Sequence, residues 1–296
     1  MIISKKVSIT RIISGTGRHF LFDLVTCVLT FFIFSRFQAF GIELPVLIPS
    51  VLGTALAFFI GFNNNQAYDR WWEARKIWGA LVNDSRTWAR EVLFFYKDKP
   101  EMSKIAIDRH IAFIYALKEN LRDSNTKEYL KYLSEEDQAY IANESNKANA
   151  ILSIQTRELN EAYQNGDIDG FRFLELNKML VNFCDEMGKS ERISNTVFPT
   201  TYNYYTSIFI WVFIVTVTAV ASQSVGVLSI PVGTLIGYVF LTTHKIGQSL
   251  LNPFEEIPTG IPITQISRTI EINMLQTRKE TVLPPVIESV DGEYIM

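Results

Sequence analysis

FFIGFNNNQAYDRWWEARKIWG, residues 58 to 79, begins as the end of a membrane span and finishes as an amphipathic helix carrying charges of both signs. Gly61 and four consecutive amides, Asn63 to Gln66, sit at the seam, yet no proline interrupts it. The stretch therefore reads as one helix that leaves lipid and continues into polar surroundings. A protein that sends a helix along such a route needs a wet path, or a polar domain, directly beneath its membrane part.

Working outward, LPVLIPSVLGTALAFFIGF (44 to 62) is free of charge, and FLFDLVTCVLTFFIFSRFQAF (20 to 40) is apolar apart from Asp23 and Arg36. From Ile193 to Thr243 no charged residue occurs, which is room for two further spans joined by the turn SQSVGVLSIP, 222 to 231. Four spans follow, at 20–39, 46–64, 203–222 and 231–250. The first is too long for a secretory signal and lacks a small-residue cleavage site. With 48% hydrophobic and 20% charged residues and a net charge of -3, the chain is neither nucleic-acid-binding nor disordered.

Basic residues set the orientation. Lys5, Lys6, Arg11 and Arg18 precede the first span and Arg70, Arg75 and Lys76 follow the second, whereas the turn between the last two spans is uncharged. Both termini and the middle of the chain are expected in the cytoplasm, with Arg36 the one dissenter.

That middle is helical in pattern. RWWEARKIWGALVNDSRTWAREVLFFY (70 to 96) continues the second span and puts Trp71 and Trp78 on one face. Ile107, Ile111, Ile114, Leu117 and Leu121 mark a second helix after the break at Pro100. Residues 134 to 150 read as a connection with a short helix. Two more helices follow, parted at Asn165-Gly166, the later one repeating Phe173, Leu176, Leu180 and Met187 at near-heptad spacing, as a helix does that packs on others or on copies of itself.

The chemistry of a soluble enzyme is missing: there is no phosphate loop, nucleophile elbow or HExxH. His19, His110 and His244 lack metal-ligand spacing, and Cys27 and Cys184 are not expected to pair. No cofactor is implied. Asp23, one turn from His19, reads as an interfacial acid paired with Arg18 or backbone before it reads as a proton relay.

Thr54, Phe58 and Phe62 stand four residues apart, one row along a helix face. Such a row by itself faces lipid or a neighbouring helix. Gln66 extends it, however, and Asn63 to Asn65 surround it. A symmetric ring of these helices satisfies both facts: the phenylalanines form an apolar collar that gates by dewetting, and the amides line a wet vestibule below.

Three segments, NNNQAYDRWWEARKIWG (63 to 79), ERISNTVFPTTYNYY (191 to 205) and LLNPFE (250 to 255), together resemble the bacterial branch of the bestrophin family. The likeness runs from about Arg11 to Leu275. It rests on Asp69, Arg70, Trp71 and Trp72 after the neck helix and on Asn252, Pro253 and Phe254 after the last span. The resemblance implies an all-α polytopic membrane protein, four transmembrane helices extended by a cytosolic helical region, assembled as a homopentameric ring around one pore.

Carried over by position, Thr54, Phe58 and Phe62 take the three pore-neck places. Thr54 departs from the family's apolar residue there, implying a wider or wetter outer ring. The second, cytosolic aperture falls on Leu180, with Leu176 next. Glu255 and Glu256 are the only acids after Asn-Pro-Phe, too few for the calcium clasp of animal relatives.

The reading is a passive monovalent-ion channel of the lipid bilayer, cations slightly favoured over anions, in a bacterial inner membrane. Its segments are 1–69 (first two spans), 70–200 (cytosolic helices), 201–252 (last two spans) and 253–296 (cytosolic tail). A secondary transporter and a membrane-anchored scaffold are the rivals. The charge distribution makes a prediction: cysteines introduced at Ser224 and Ser124 react with a membrane-impermeant maleimide from opposite sides of the membrane. Labelling of both from one side defeats the four-span topology.

Overall fold

The computed structural model describes residues 9–41, 43–96, 98–290 and 292–295, with side chains from Gly15 onward. Lys5 and Lys6, used above for orientation, lie outside the described residues, as does the side chain of Arg11. The described chain is helical and contains no strand; its only β feature there is an isolated bridge between Val290 and Tyr294. It divides into two compact units.

The apolar unit comprises residues 4–70 and 197–251. It holds α1 (Ile9–Ala39), the first part of α2 (Leu47–Phe95), α7 (Thr200–Val225) and α8 (Ser229–Gln248). Among the described residues three stretches are long and apolar enough to cross a membrane: Gly15–Ala39, Leu47–Phe95 and Thr200–Gln248, the last containing both α7 and α8. The turn expected over 222 to 231 is much shorter, a single 3-10 turn at Gly226–Leu228. Gly226 allows it by adopting a positive φ of 57°, and Pro231 sits in the first turn of α8, where no backbone N–H is needed.

Small residues let these helices close. Lipid offers no hydrophobic drive between spans, so association rests on close contact and on polar links. Gly237 on α8 lies against the Asp23 carboxylate of α1, and Gly233 lies against Thr218 and Cys27. Thr16 and Tyr238 share a hydroxyl hydrogen bond of 2.8 Å. Asp23 is fully buried between helices, where its Oδ1 accepts from the Cys27 thiol at 3.7 Å rather than pairing with Arg18.

The polar unit takes in residues 71–196 and 252–296. It holds the rest of α2, α3 (Pro100–Arg122), α4 (Glu135–Ile141), α5 (Lys147–Gln164), α6 (Gly170–Asn195) and α9 (Ile263–Thr277). Local chemistry fixes the boundaries. Pro100 opens α3, Ser134 caps α4 by accepting from Asp137 N, and Asn146 caps α5 through Asn149 N. Gly166, with φ 76°, ends the α5 turn before Asp169 caps α6 through Phe171 N and Arg172 N.

The core of this unit is α3, where every residue from His110 to Glu119 is buried. A helix apolar or satisfied on all sides belongs at the centre of a bundle. Trp78 and Trp88 from α2, Phe183 from α6 and Ile270 and Met274 from α9 surround it in one cluster. The heptad-like residues Leu176, Leu180 and Met187 belong to this cluster. Their spacing records packing inside one chain rather than pairing with a copy. Helix α9, within the expected cytosolic tail 253–296, is locked to α3 by Glu271, whose carboxylate accepts from Tyr115 at 2.5 Å, from Tyr132, and from Arg268 at 2.8 Å.

The Gly237 contact generates a stability prediction. A Cβ there would come within 2.8 Å of the buried Asp23 carboxylate, while at Gly188 in α6 it meets nothing within 4 Å. Gly237→Ala is expected to destabilise the detergent-solubilised protein by about 1–3 kcal/mol, as overpacking does. Gly188→Ala is neutral or stabilising by up to about 1 kcal/mol. Thermal unfolding of the two variants side by side checks this.

Candidate functional site

Helix α2 carries two opposed rows in the apolar unit. Leu56, Ile60, Asn63 and Ala67 are buried, whereas Thr54, Phe58, Phe62, Asn65 and Asp69 are exposed. Phe58 is 71% and Phe62 55% exposed, so neither packs into its own chain. The alternation at three and four residues is what one straight helix imposes when one side faces its bundle.

The buried side is anchored against α7. Gly53 faces the Phe213 ring, at 2.9 Å from where a Cβ would stand, and Tyr202 donates its hydroxyl to the carbonyl of Phe59 at 2.8 Å. The Phe59 and Tyr202 rings meet edge to face at 6.2 Å. A groove of about 390 Å³, lined by Leu56, Phe59, Tyr202, Tyr205 and Phe209, opens beside this anchor.

The amides divide. Asn63 points into the bundle with neither amide atom partnered, and Asn64 donates to Thr243 O at 3.0 Å. Only Asn65 and Gln66 remain exposed, and Asn65 reaches Asp69 at 3.4 Å. The expectation that all the amides line a vestibule is corrected accordingly: two of them serve helix contacts, because four consecutive helical residues sweep the full circumference.

In the polar unit the motif residues meet. Trp71 stacks near Trp72, their centroids 6.3 Å apart, and donates its indole N–H to Thr259 O at 2.9 Å, in the loop beyond Asn252-Pro253-Phe254. Phe254 is fully buried, its N–H donating to Asn252 Oδ1 at 3.2 Å and its carbonyl accepting from Arg122 at 3.1 Å. Arg122 also pairs with Glu256 at 3.3 Å, so that acid is already engaged by a fixed guanidinium. Arg192 pairs with Glu73 at 2.6 Å. No sequence signal had marked Arg122 or Arg192; both are charges whose partners lie far away in the chain.

Leu176 and Leu180 are 0% and 5% exposed, held in the core of their own unit. An aperture at these positions needs several copies of the chain; in the single chain both side chains pack inward. The outward face of α6 carries Leu174 and Val181, the latter 54% exposed. Counting along a chain locates a helical residue to within a position or so, but one position is a rotation of about 100°. That is enough to turn a surface residue into a core one.

His110 is buried without a charged neighbour, its Nε2 2.9 Å from Ser85 Oγ and its ring 4.2 Å from Phe183. Ser85 donates to Leu81 O at 2.6 Å, so the serine oxygen accepts from the imidazole. Burial pushes its pKa down to about 3, a neutral core histidine.

The family model for the bacterial and fungal bestrophin proteins matches residues 4–276. The chain belongs to this family. Among bestrophin relatives, it is 28% identical over 277 residues to a voltage-dependent anion channel-forming protein of Escherichia coli K12, covering 93% of this chain and 91% of that protein. It is 26% identical over 244 residues to a protein of the same description from Mesorhizobium japonicum, with 82% and 78% covered. The crystal structure of a bacterial bestrophin homologue from Klebsiella pneumoniae shares the fold, with a TM-score of 0.85 at 24% identity over 89% of this chain and 98% of the other.

The contrast on α6 is testable within this bestrophin. Leu180→Ala leaves a core cavity and is expected to cost about 2–5 kcal/mol. Val181→Ala, one residue on, stays within about 0.5 kcal/mol. Chemical denaturation of the two variants in detergent distinguishes them; equal losses would return Leu180 to the surface.

Proposed function

We propose that this bestrophin is a passive monovalent-ion channel and not an enzyme, formed by a homopentameric ring whose axis runs along α2. The observation that carries the reading is the exposed row Thr54, Phe58, Phe62 on a helix whose other side is buried. One copy of that row cannot enclose a path, but five copies make a collar. An ion does not shed its water into an apolar ring, so a narrow phenylalanine collar stops flow with little movement. The family model and the names of the relatives support the same class of activity.

Cations are favoured over anions in this proposal. The first charge met on the exposed row beyond the collar is Asp69, and a ring of acids attracts cations. Anion selectivity is the second reading, favoured by the description of the relatives as anion channel-forming proteins. The polar unit, with both termini, lies on the cytoplasmic side of a bacterial inner membrane. There α6 supplies a second restriction through Val181, in place of Leu180.

Reversal potential under a potassium chloride gradient across a planar bilayer decides the ion sign, and the mass of the solubilised particle decides the ring. Phe58→Ala with Phe62→Ala is expected to raise single-channel flux or open probability while the assembly keeps its mass. Val181→Ala is expected to shift ion preference more than closure. Unchanged conduction in an assembled double variant refutes the collar, and uncoupled downhill flux excludes both a transporter and an inert scaffold.

A further inference from the structure

Glu186 on α6 is a buried carboxylate whose Oε2 has no hydrogen-bond partner. Helices α2 and α6 run antiparallel along a seam in the polar unit. Asn182 donates to Asp84 at 2.9 Å, Phe183 meets Trp88 edge to face at 5.9 Å, and Arg192 pairs with Glu73 at 2.6 Å. Between these links lies Glu186, only 6% exposed, with Oε2 buried and no donor in reach. One turn further on, Ser190 is fully buried with its hydroxyl unpartnered, as is the indole N–H of Trp78 across the seam.

No group in this seam donates a hydrogen bond to Glu186 Oε2. From α2 the facing ionisable group is Asp84, of the same sign and already bound to Asn182. On α6 itself, Lys189, paired with Asp185 at 3.7 Å, favours ionisation, and Asp185 opposes it to a smaller extent. From α3, His110 is neutral against Phe183 and Asn120 is spent on Glu191 at 3.0 Å. Helix α5 meets α6 at its other end, where Tyr163 lies 5.0 Å from Phe173, and its Glu158 is taken by Arg109. By contrast Glu271, equally buried, receives two tyrosine hydroxyls and an arginine.

We infer that Glu186 is a proton-binding site that latches α6 to α2: with its proton bound the seam closes, and on losing it the carboxylate turns toward water and loosens the seam, displacing Val181. The chemistry is one acid–base equilibrium, the proton passing to solvent water or buffer. Burial first, and the Asp84 charge second, push the carboxyl up to about 8. The control of flux rests on the channel reading above; the proton site does not.

The sign follows from linkage. Below the ordinary carboxylate value of ~4.3 both folded and unfolded chains hold the proton. Above it only the folded chain does, so the stability is lost as pH rises toward 8.

Two measurements on the full-length protein test this. The infrared difference spectrum between wild type and Glu186→Gln, in detergent, should contain a protonated carboxyl band at pH 7 that vanishes with a midpoint near 8. Asp84→Asn should move that midpoint to lower pH. In liposomes at equal pH on both sides, wild-type flux should change along the same titration, and Glu186→Gln should hold the low-pH level throughout. Absence of the band at pH 7 overturns the proposal whatever the flux does. A titrating band with superimposable flux profiles for wild type and Glu186→Gln overturns the latch. A titrating band with no flux in either protein at any pH removes the channel reading and the control of flux with it, and leaves the proton site standing on the spectrum.

Discussion

Everything in this protein depends on the hydrogen bonding of one uninterrupted helix. In hydrocarbon no water can satisfy a backbone N–H or C=O, so a span must be helical throughout. Helix α2 keeps that solution for 49 residues, well past the ~20 needed to cross a bilayer. Because no bulge or proline resets its register between Phe58 and Trp78, the angular position of each side chain is fixed by that of the one before. The row that exposes Phe58 and Phe62 therefore arrives at Asn65 and Asp69, and the row that buries Ile60 arrives at Ala67 and Ala74.

The two units answer to different solvents. In the apolar unit the large side chains point outward, because lipid is as good a partner as another leucine, and the helices close on glycine: Gly53 on Phe213, Gly237 on Asp23, Gly247 on Asn64. The polar unit inverts the arrangement. Trp78, Trp88, Phe183 and Phe254 are gathered in one core with α3, since water makes their burial favourable. Its glycines at 166 and 188 have open space where a side chain would stand.

Buried polar groups separate into those that hold the fold and those with an atom left without a hydrogen-bond partner. Glu271 draws Tyr115, Tyr132 and Arg268 together and so fixes α9, while Asp137 and Glu158 share Arg109. Trp71 and Arg122 tie down the backbone beyond the last span through Thr259 O and Phe254 O. His110 is buried neutral, bonded through Nε2 to Ser85. Glu186 differs from all of these in facing a like charge across a seam with no donor. Buried ionisable groups held against a like charge are the ones whose protonation their surroundings perturb most.

The sequence alone determined what periodicity and hydropathy encode. Charge-free runs announced the membrane helices, the four-residue spacing of Thr54, Phe58 and Phe62 announced a shared face, and Pro100 and Asn165-Gly166 marked helix ends that the structure places within a residue or two. These features are local, and local backbone chemistry suffices for them. What only the tertiary structure decided is which side of each helix meets another. The pattern Phe173, Leu176, Leu180, Met187 is equally consistent with an outward seam and an inward one until α3 is placed, and α3 puts it inward. Asn63 cannot be told from Asn65 by composition, Asp23 cannot be told from an interfacial acid before α8 brings Gly237 against it, and Glu186 looks like any surface glutamate of a charged helix until α2 covers it. The physical reason is common to all of these: burial is a property of contacts between residues far apart in the chain, and a rotation of one helical position, about 100°, is enough to exchange core for surface.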